Sequence, residues 1–228
     1  MTQPLAYRKR PQTIDDIVGQ NHLLGEGKIL RKLVENQYLP SMIFYGPPGT
    51  GKTTTAIAIA NSLQKPYRLF NAVINKKKDL DQLFVEAEMT GGLVVIVDEV
   101  HRLNKDKQDV LLPHIESGLI TMIGATTANP NFSINPAIRS RVQLFEFKPL
   151  FNQDIFNILQ KATPKDQMVS DDVYDKITQY ANGDARYALN TLEILLSAHP
   201  DEPITIQKLE ELSVGINIAM DKDSDNYY

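Results

Sequence analysis

This sequence predicts a doubly wound α/β fold with roughly five parallel strands, followed by a smaller helical region. Three observations carry the expectation: a glycine-rich loop between an apolar strand and a helix, a continuous apolar strand ending in two acids, and a change of hydrophobic period after Pro149. At 228 residues the chain has room for one large or two modest domains with a real core. Hydrophobic residues are 42% and charged residues 23%, so neither a disordered nor a membrane-spanning composition is indicated.

Taken in order, Ser41 to Tyr45 (SMIFY) is a short apolar run suited to a buried strand, and Thr53 to Leu63 (TTTAIAIANSL) reads as a helix. Between them Gly46-Pro47-Pro48-Gly49-Thr50-Gly51-Lys52-Thr53 matches the phosphate-loop pattern G-x-x-x-x-G-K-[ST] in full. Glycines let the backbone wrap a di- or triphosphate closely, because a side chain would hold the amides away from the oxygens. Lys52 supplies charge to the β- and γ-phosphates, the Thr53 hydroxyl is a ligand for Mg²⁺, and the run from Gly46 through Thr54 is the candidate nucleotide cradle. The motif in this context means nucleotide binding.

Arg68 to Val73 (RLFNAV) reads as the next strand and precedes a helix beginning near Asp79. Gly92 to Glu99 (GLVVIVDE) holds five consecutive apolar residues, four of them β-branched, as expected for a strand buried on both faces of a parallel sheet. Asp98 and Glu99 close it, at the strand end where open α/β sheets bind ligands. There Asp98 is suited to hold Mg²⁺, and Glu99 to polarise the water that attacks a γ-phosphate. Asn104 to Ser117 reads as mostly helical despite Pro113, with Gly118 to close it, and Leu119 to Thr127 and Val142 to Phe147 read as two further strands. Right-handed crossovers then bring Tyr45, Asp98 and Thr126 to one edge of the sheet. Beyond Pro149 the helical spacing of residues 153–161, 171–180, 185–197 and 206–212 predicts a small bundle, with Leu189, Leu192, Leu195 and Leu196 as its stripe.

Other features exclude chemistry. The net charge of −4 gives no overall basic footprint of the kind many nucleic-acid binders carry. Without cysteine there is no disulfide, thiolate chemistry or cysteine-based zinc site, which fits a reducing cytoplasm. His22, His101, His114 and His199 lack metal-ligand spacing, and His101 reads as a surface feature. The opening MTQPLAYRKRP lacks a signal-peptide core and no apolar run is long enough to span a bilayer, so a cytosolic setting without membrane contact is expected. Asp221 to Asn226 imitates a calcium loop but lacks its sixth-position glycine and closing glutamate, which rejects calcium. Lys76-Lys77-Lys78, just before a helix, suits phosphates of DNA, although a solvated charge run is the commoner meaning of such a cluster.

In combination, GPPGTGKT (46–53), VDEVHRLNKDKQDVLLPHIESG (97–118), IGATTANPNFSINPAIRSR (123–141) and NGDARYALNTLE (182–193) resemble the AAA+ ATPases of the clamp-loader clade. Within that clade the sequence resembles the family of replication-associated recombination protein A and the Werner-helicase-interacting ATPase, as do its opening LAYRKRP (5–11), DIVGQ (16–20) and FNAV (70–73). The resemblance implies a P-loop base with a five-stranded parallel sheet over residues 1–149, an all-helical lid over 150–213, and a tail or linker over 214–228. It implies a Mg²⁺-dependent ATPase acting on DNA at stalled or gapped replication forks, with single-stranded-DNA-binding protein and replisome components as partners. A clamp-loader subunit and a recruitment scaffold with little turnover are the alternatives. It further implies sensor 1 at Thr126, with Thr127 and Asn129 as weaker candidates, and an arginine finger at Arg141 of the Ser140-Arg141 pair, with Arg139 its competitor. Sensor 2 falls on Arg186, and Asp184 caps the same helix. Val18 and Gly19 resemble the segment that packs on adenine, Arg8 and Arg10 fall near the nucleotide or a neighbouring subunit, and Asn71 is a candidate partner for Glu99 in the idle site. The family continues into a helical region that assembles tetramers, so a chain stopping at Tyr228 is expected to be a fragment, homo-oligomeric in the full-length protein and with a monomer as the alternative for the fragment itself.

Overall fold

The computed structural model describes residues 3–212; the acidic run 221–226 and the segment 214–228 lie outside the described residues. The chain divides into two compact units, Arg10–Pro149 and a second made of residues 3–9 with those from Leu150 onward.

After α1 (Leu5–Arg8), which belongs to the second unit, the first unit begins with short helices α2 (Asn21–Leu24) and α3 (Ile29–Glu35) ahead of β1 (Met42–Tyr45). Then follow α4 (Lys52–Ser62), β2 (Tyr67–Asn71), α5 (Lys77–Thr90), β3 (Leu93–Asp98), α6 (Lys105–Glu116) and β4 (Ile120–Thr126). Two single-turn helices, α7 (Pro130–Ser133) and α8 (Pro136–Arg139), lead to β5 (Gln143–Glu146). All pairings are parallel and the sheet order is β2-β3-β4-β1-β5.

The period-2 geometry of strands explains how these sequences build two cores. Leu93, Val95 and Val97 of β3 face one way, into a cluster with Leu80 and Phe84 of α5 and Leu111 and Ile115 of α6. Val94 and Ile96 face the other way, into a cluster with Ile57 and Ile59 of α4 and Leu30 and Val34 of α3. Burial on both faces is why β3 reads as an unbroken apolar run. Helix α5 starts two residues before Asp79 because the Asp79 carboxylate accepts from the Lys76 N–H at 2.8 Å and caps the first turn. That backbone donor is the main cause holding the Asp79 carboxyl below its ordinary value.

Strand order reverses between β1 and β4: the chain leaves β1 towards β2 at one edge and leaves β4 towards β5 at the other. Such a switch point opens a crevice at the carboxyl ends of the strands. The register places those ends level, with Tyr45 opposite Thr126 and Asp98 opposite Ala125, as parallel pairing allows.

The second unit is helical: α9 (Asn152–Ala162), α10 (Asp171–Ala181), α11 (Ala185–Ala198) and a helical stretch over residues 206–212. Ile155, Leu159, Val173, Ile177, Leu192 and Leu195 form its core. Leu5, 2% exposed, is part of that core, so residues 3–9 pack with this unit although they precede the α/β unit in sequence. Glu193 accepts from the Leu5 N–H at 2.8 Å and pairs with Arg8 at 3.5 Å, which fastens the segment to α11. Among the described residues no helix is long and apolar enough to cross a membrane.

Candidate active site

The phosphate-loop residues Gly46 to Gly51 join β1 to α4 at the switch point, where the Gly46 N–H donates to the Thr126 carbonyl at 3.2 Å. Gly46, Gly49 and Gly51 all hold positive φ, the region that favours glycine. Gly46 has a second reason to be glycine: a Cβ there would lie 2.0 Å from the Phe147 carbonyl oxygen, at a φ of +140°. Gly46→Ala is therefore expected to destabilise the protein by on the order of 2–3 kcal/mol and weaken nucleotide binding. An unchanged urea midpoint would contradict this account of the loop.

The loop is held from within and from outside. The Thr50 hydroxyl donates to Pro47 O at 2.9 Å, and the buried Lys52 ammonium donates to Gly46 O at 2.8 Å and Pro47 O at 2.6 Å. From outside, Gln20 donates to Thr50 O at 3.3 Å and to Lys148 O at 2.7 Å, while its Oε1 accepts from the Lys148 N–H. Val18 and Gly19 immediately precede Gln20, so the structure brings that segment beside the loop. Pro48 and Pro47 lie on the exposed side of the turn, and Thr53 and Thr54 sit half-buried in the first turn of α4. The N–H groups of Lys52, Thr53 and Thr54 precede the first intrahelical bond, Thr55 N–H to Gly51 O, and lie at the positive end of the helix.

Across the crevice, the Thr53 hydroxyl donates to Asp98 Oδ1 at 3.2 Å. Two hard oxygens, a hydroxyl and a carboxylate, fit a Mg²⁺ ion that keeps water and phosphate oxygens as its other ligands. Among the described residues there is no group of three or more His, Asp or Glu side chains that could hold a metal by themselves. Asp98 Oδ1 also accepts from the Glu99 N–H at 3.2 Å. Glu99 sits at φ 53°, a left-handed conformation rare for a residue with a side chain, and such strain clusters at functional sites.

His101 corrects the sequence reading. It is no surface feature: its side chain is 17% exposed, with Nδ1 2.8 Å from Thr126 Oγ1 and 3.4 Å from Glu99 Oε2. The buried Thr126 hydroxyl also accepts from the Ala128 N–H at 3.0 Å. Thr127 and Asn129 are exposed, and Asn129 caps α7 by accepting from the Asn131 N–H. Asn71 does not meet Glu99; its Oδ1 accepts from the Val73 and Ile74 N–H groups, folding back on its own turn.

The arginines have other partners. Arg141 pairs with Glu116 at 2.5 Å and donates to Ala137 O at 2.7 Å and Ser140 Oγ at 2.9 Å. Glu116 ends the 12-residue α6, a helix about 18 Å long whose first turn follows the Glu99 segment in sequence. Arg139 donates to Asn131 O. Arg10 lies in the α/β unit and Arg8 in the helical unit. Arg186 is exposed at the start of α11, where Asp184 caps the helix by accepting from the Arg186 and Tyr187 N–H groups at 2.8 and 3.0 Å.

Residues 9–137 match the family model of the Holliday junction DNA helicase RuvB P-loop domain, and residues 164–228 that of an AAA C-terminal domain. Replication-associated recombination protein A of Bacillus subtilis is 46% identical over 99% of this chain and 57% of its own length; that of Escherichia coli K12 is 38% identical over 99% and 54%. The ATPase WRNIP1 of Dictyostelium discoideum is 36% identical over 96% of the chain and 26% of its own length. This chain thus spans about half the length of the bacterial relatives or less of the eukaryotic one. Among solved structures, the Thermotoga maritima RuvB Holliday junction branch migration motor superposes with a TM-score of 0.75 at 24% identity, covering 89% of this chain and 71% of that one, a likeness of fold. A family match across more than half of the chain, carried on a sheet with a nucleotide loop at its switch point, decides the classification: the chain belongs to the AAA+ ATPases.

Proposed function

We propose that this chain is the ATP-hydrolysing module of a DNA-directed machine in replication-associated recombination and repair, acting at stalled or gapped forks. The observation that carries the reading is the convergence of Thr53, Asp98, Glu99 and Thr126 at the carboxyl ends of β1, β3 and β4 beside the phosphate loop. Backbone amides of the loop and α4 bind the phosphates, and Lys52 moves its ammonium from the Gly46 and Pro47 carbonyls to the β- and γ-phosphates. Thr53 and Asp98 would hold a Mg²⁺ ion, which would supply positive charge against that developing on the transferring phosphoryl group. Glu99 accepts a hydrogen bond from the attacking water and Thr126 orients that water or the γ-phosphate. Val18 and Gly19 pack on the adenine.

Arg141, held on its own chain by Glu116, Ala137 and Ser140, serves a neighbouring copy, and Arg186 reports the nucleotide state from the helical unit, which acts as a lid. The module therefore works in a homo-oligomer. For DNA, the exposed Lys76, Lys77 and Lys78 gather at the first turn of α5, which suits phosphates. The names of the relatives support the setting in recombination. Single-stranded-DNA-binding protein and replisome components are the partners such a setting supplies, in the cytoplasm near the nucleoid.

Steady-state ATP hydrolysis, measured over a range of protein concentrations with and without forked or gapped DNA, tests this. Specific activity that rises with concentration and is stimulated by DNA is expected; a low rate, indifferent to both, would overturn the DNA-directed reading. Replacing Lys76, Lys77 and Lys78 together with alanine is expected to weaken DNA binding and reduce the salt slope by about 2–3. Unchanged affinity and slope would remove those lysines from the interface.

A further inference from the structure

A group that activates water must be held in place, yet Glu99 has few constraints of its own. Its side chain is 39% exposed, and a glutamate left in solvent distributes over several rotamers. Asn71 supplies no anchor, because both N–H groups that its Oδ1 accepts from belong to its own turn. The contact that does reach the carboxylate comes from His101.

The contacts around His101 suggest a role for it. Nδ1 lies between two oxygens, Thr126 Oγ1 at 2.8 Å and Glu99 Oε2 at 3.4 Å. A bare Nδ1 would turn its lone pair towards a carboxylate with no hydrogen between them. An Nδ1–H faces two acceptors instead. The surroundings of Thr126 agree with the second arrangement. Its hydroxyl has the Ala128 carbonyl at 3.5 Å as an outlet for its own hydrogen, and Oγ1 already accepts from the Ala128 N–H. With the hydrogen on Nδ1, the hydroxyl placed by Ala128 takes it at 2.8 Å, and Glu99 Oε2, 3.4 Å from the same nitrogen, faces it as an electrostatic contact.

We propose that His101 is a positioning residue for the hydrolytic reaction: its imidazole, bonded to the Thr126 hydroxyl and facing the Glu99 carboxylate at 3.4 Å, sets the separation of the two groups so that both address one water. The inference rests on the reading of Glu99 as the group that activates water. His101 touches neither water nor phosphate itself; it acts through the two groups that do. It also makes Glu99 and Thr126 one unit, so that substitution of either disturbs the other.

The test compares three variants of the protein. His101→Phe keeps the volume of the ring and removes the donor, and is expected to lower kcat by roughly ten- to a hundredfold while the Kd for ATP stays unchanged. His101→Asn places its side-chain N–H close to the position of Nδ1 and is expected to restore most of the rate, whereas His101→Gln carries its N–H near the position of Nε2 and is expected to stay slow. In a double-mutant cycle with Thr126→Val, the His101→Phe effect is expected to shrink, since the two share one hydrogen bond. A wild-type or raised kcat in His101→Phe, equal rates in the Asn and Gln variants, or additive effects in the cycle would overturn the proposal. If His101→Phe melts early, the comparison of Asn with Gln decides alone. Glu99→Gln, run alongside, separates the two ideas: wild-type turnover there sinks the role of Glu99, whereas a dead Glu99→Gln beside a fully active His101→Phe sinks only that of His101.

Discussion

Glu99→Gln is expected to lower kcat for ATP hydrolysis by about 10²–10⁴, the usual worth of a positioned general base, with the Kd for ATP near that of the wild type. The amide has the size and shape of the carboxylate and keeps an oxygen for His101, so the φ of 53° and the packing of β3 are undisturbed. What it loses is the charge and basicity that polarise a water. The phosphate loop, Lys52 and the Thr53–Asp98 pair are untouched, so binding persists while the chemical step stalls. Single-turnover hydrolysis with an independent nucleotide-binding measurement separates the two. Turnover equal to the wild type would remove Glu99 from the reaction and require another activator of water.

Lys52→Ala is expected to act earlier, on binding as well as on turnover. A charge-assisted hydrogen bond to a phosphate is worth about 1.5–3 kcal/mol, so ATP should bind roughly ten- to a hundredfold more weakly. The hydrolysis rate should fall further, because the ammonium also answers charge that grows on the transferring phosphoryl group. A structural cost comes with it. Lys52 is 8% exposed and ties the Gly46 and Pro47 carbonyls to the start of α4. Its removal leaves those acceptors to water and loosens the loop. Fluorescent-nucleotide titration with calorimetric unfolding checks both effects. Wild-type affinity and rate would show that backbone amides alone hold the phosphates.

The parts of this molecule that the sequence declares are those whose reason is local. The strand β3 is legible because burial on both faces demands an unbroken apolar run, and the phosphate loop because its glycines and lysine fall within eight residues. That Tyr45 and Thr126 share one edge of the sheet follows from parallel strands joined by helical crossovers. Illegible were contacts that depend on distant partners. Gln20 secures the loop through Thr50, but its other partner, Lys148, is 128 residues away, and nothing in the flanking sequence marks it. His101 meets Thr126 across 25 residues; the available hint was a histidine two residues beyond the acidic pair. Asn71 was open to a local argument, since asparagine favours turns that close on the N–H two residues ahead. The docking of Leu5 with the helical unit reverses chain order, and no periodicity in so short a segment encodes it.

The position of β1 in the sheet sets a timetable for synthesis. This strand carries the phosphate loop, but both its neighbours, β4 and β5, are made later, and β5 ends at Glu146. The Phe147 carbonyl that packs on Gly46 comes later still. At ribosomal speeds of about 5–20 residues per second, the loop waits on the order of 5–20 s for the strands that flank it. During that interval β1 is an apolar segment without pairing partners, open to chaperones and to other nascent chains. A ribosome stalled before residue 120 would present a complete phosphate-loop sequence with no neighbouring strand to shape it.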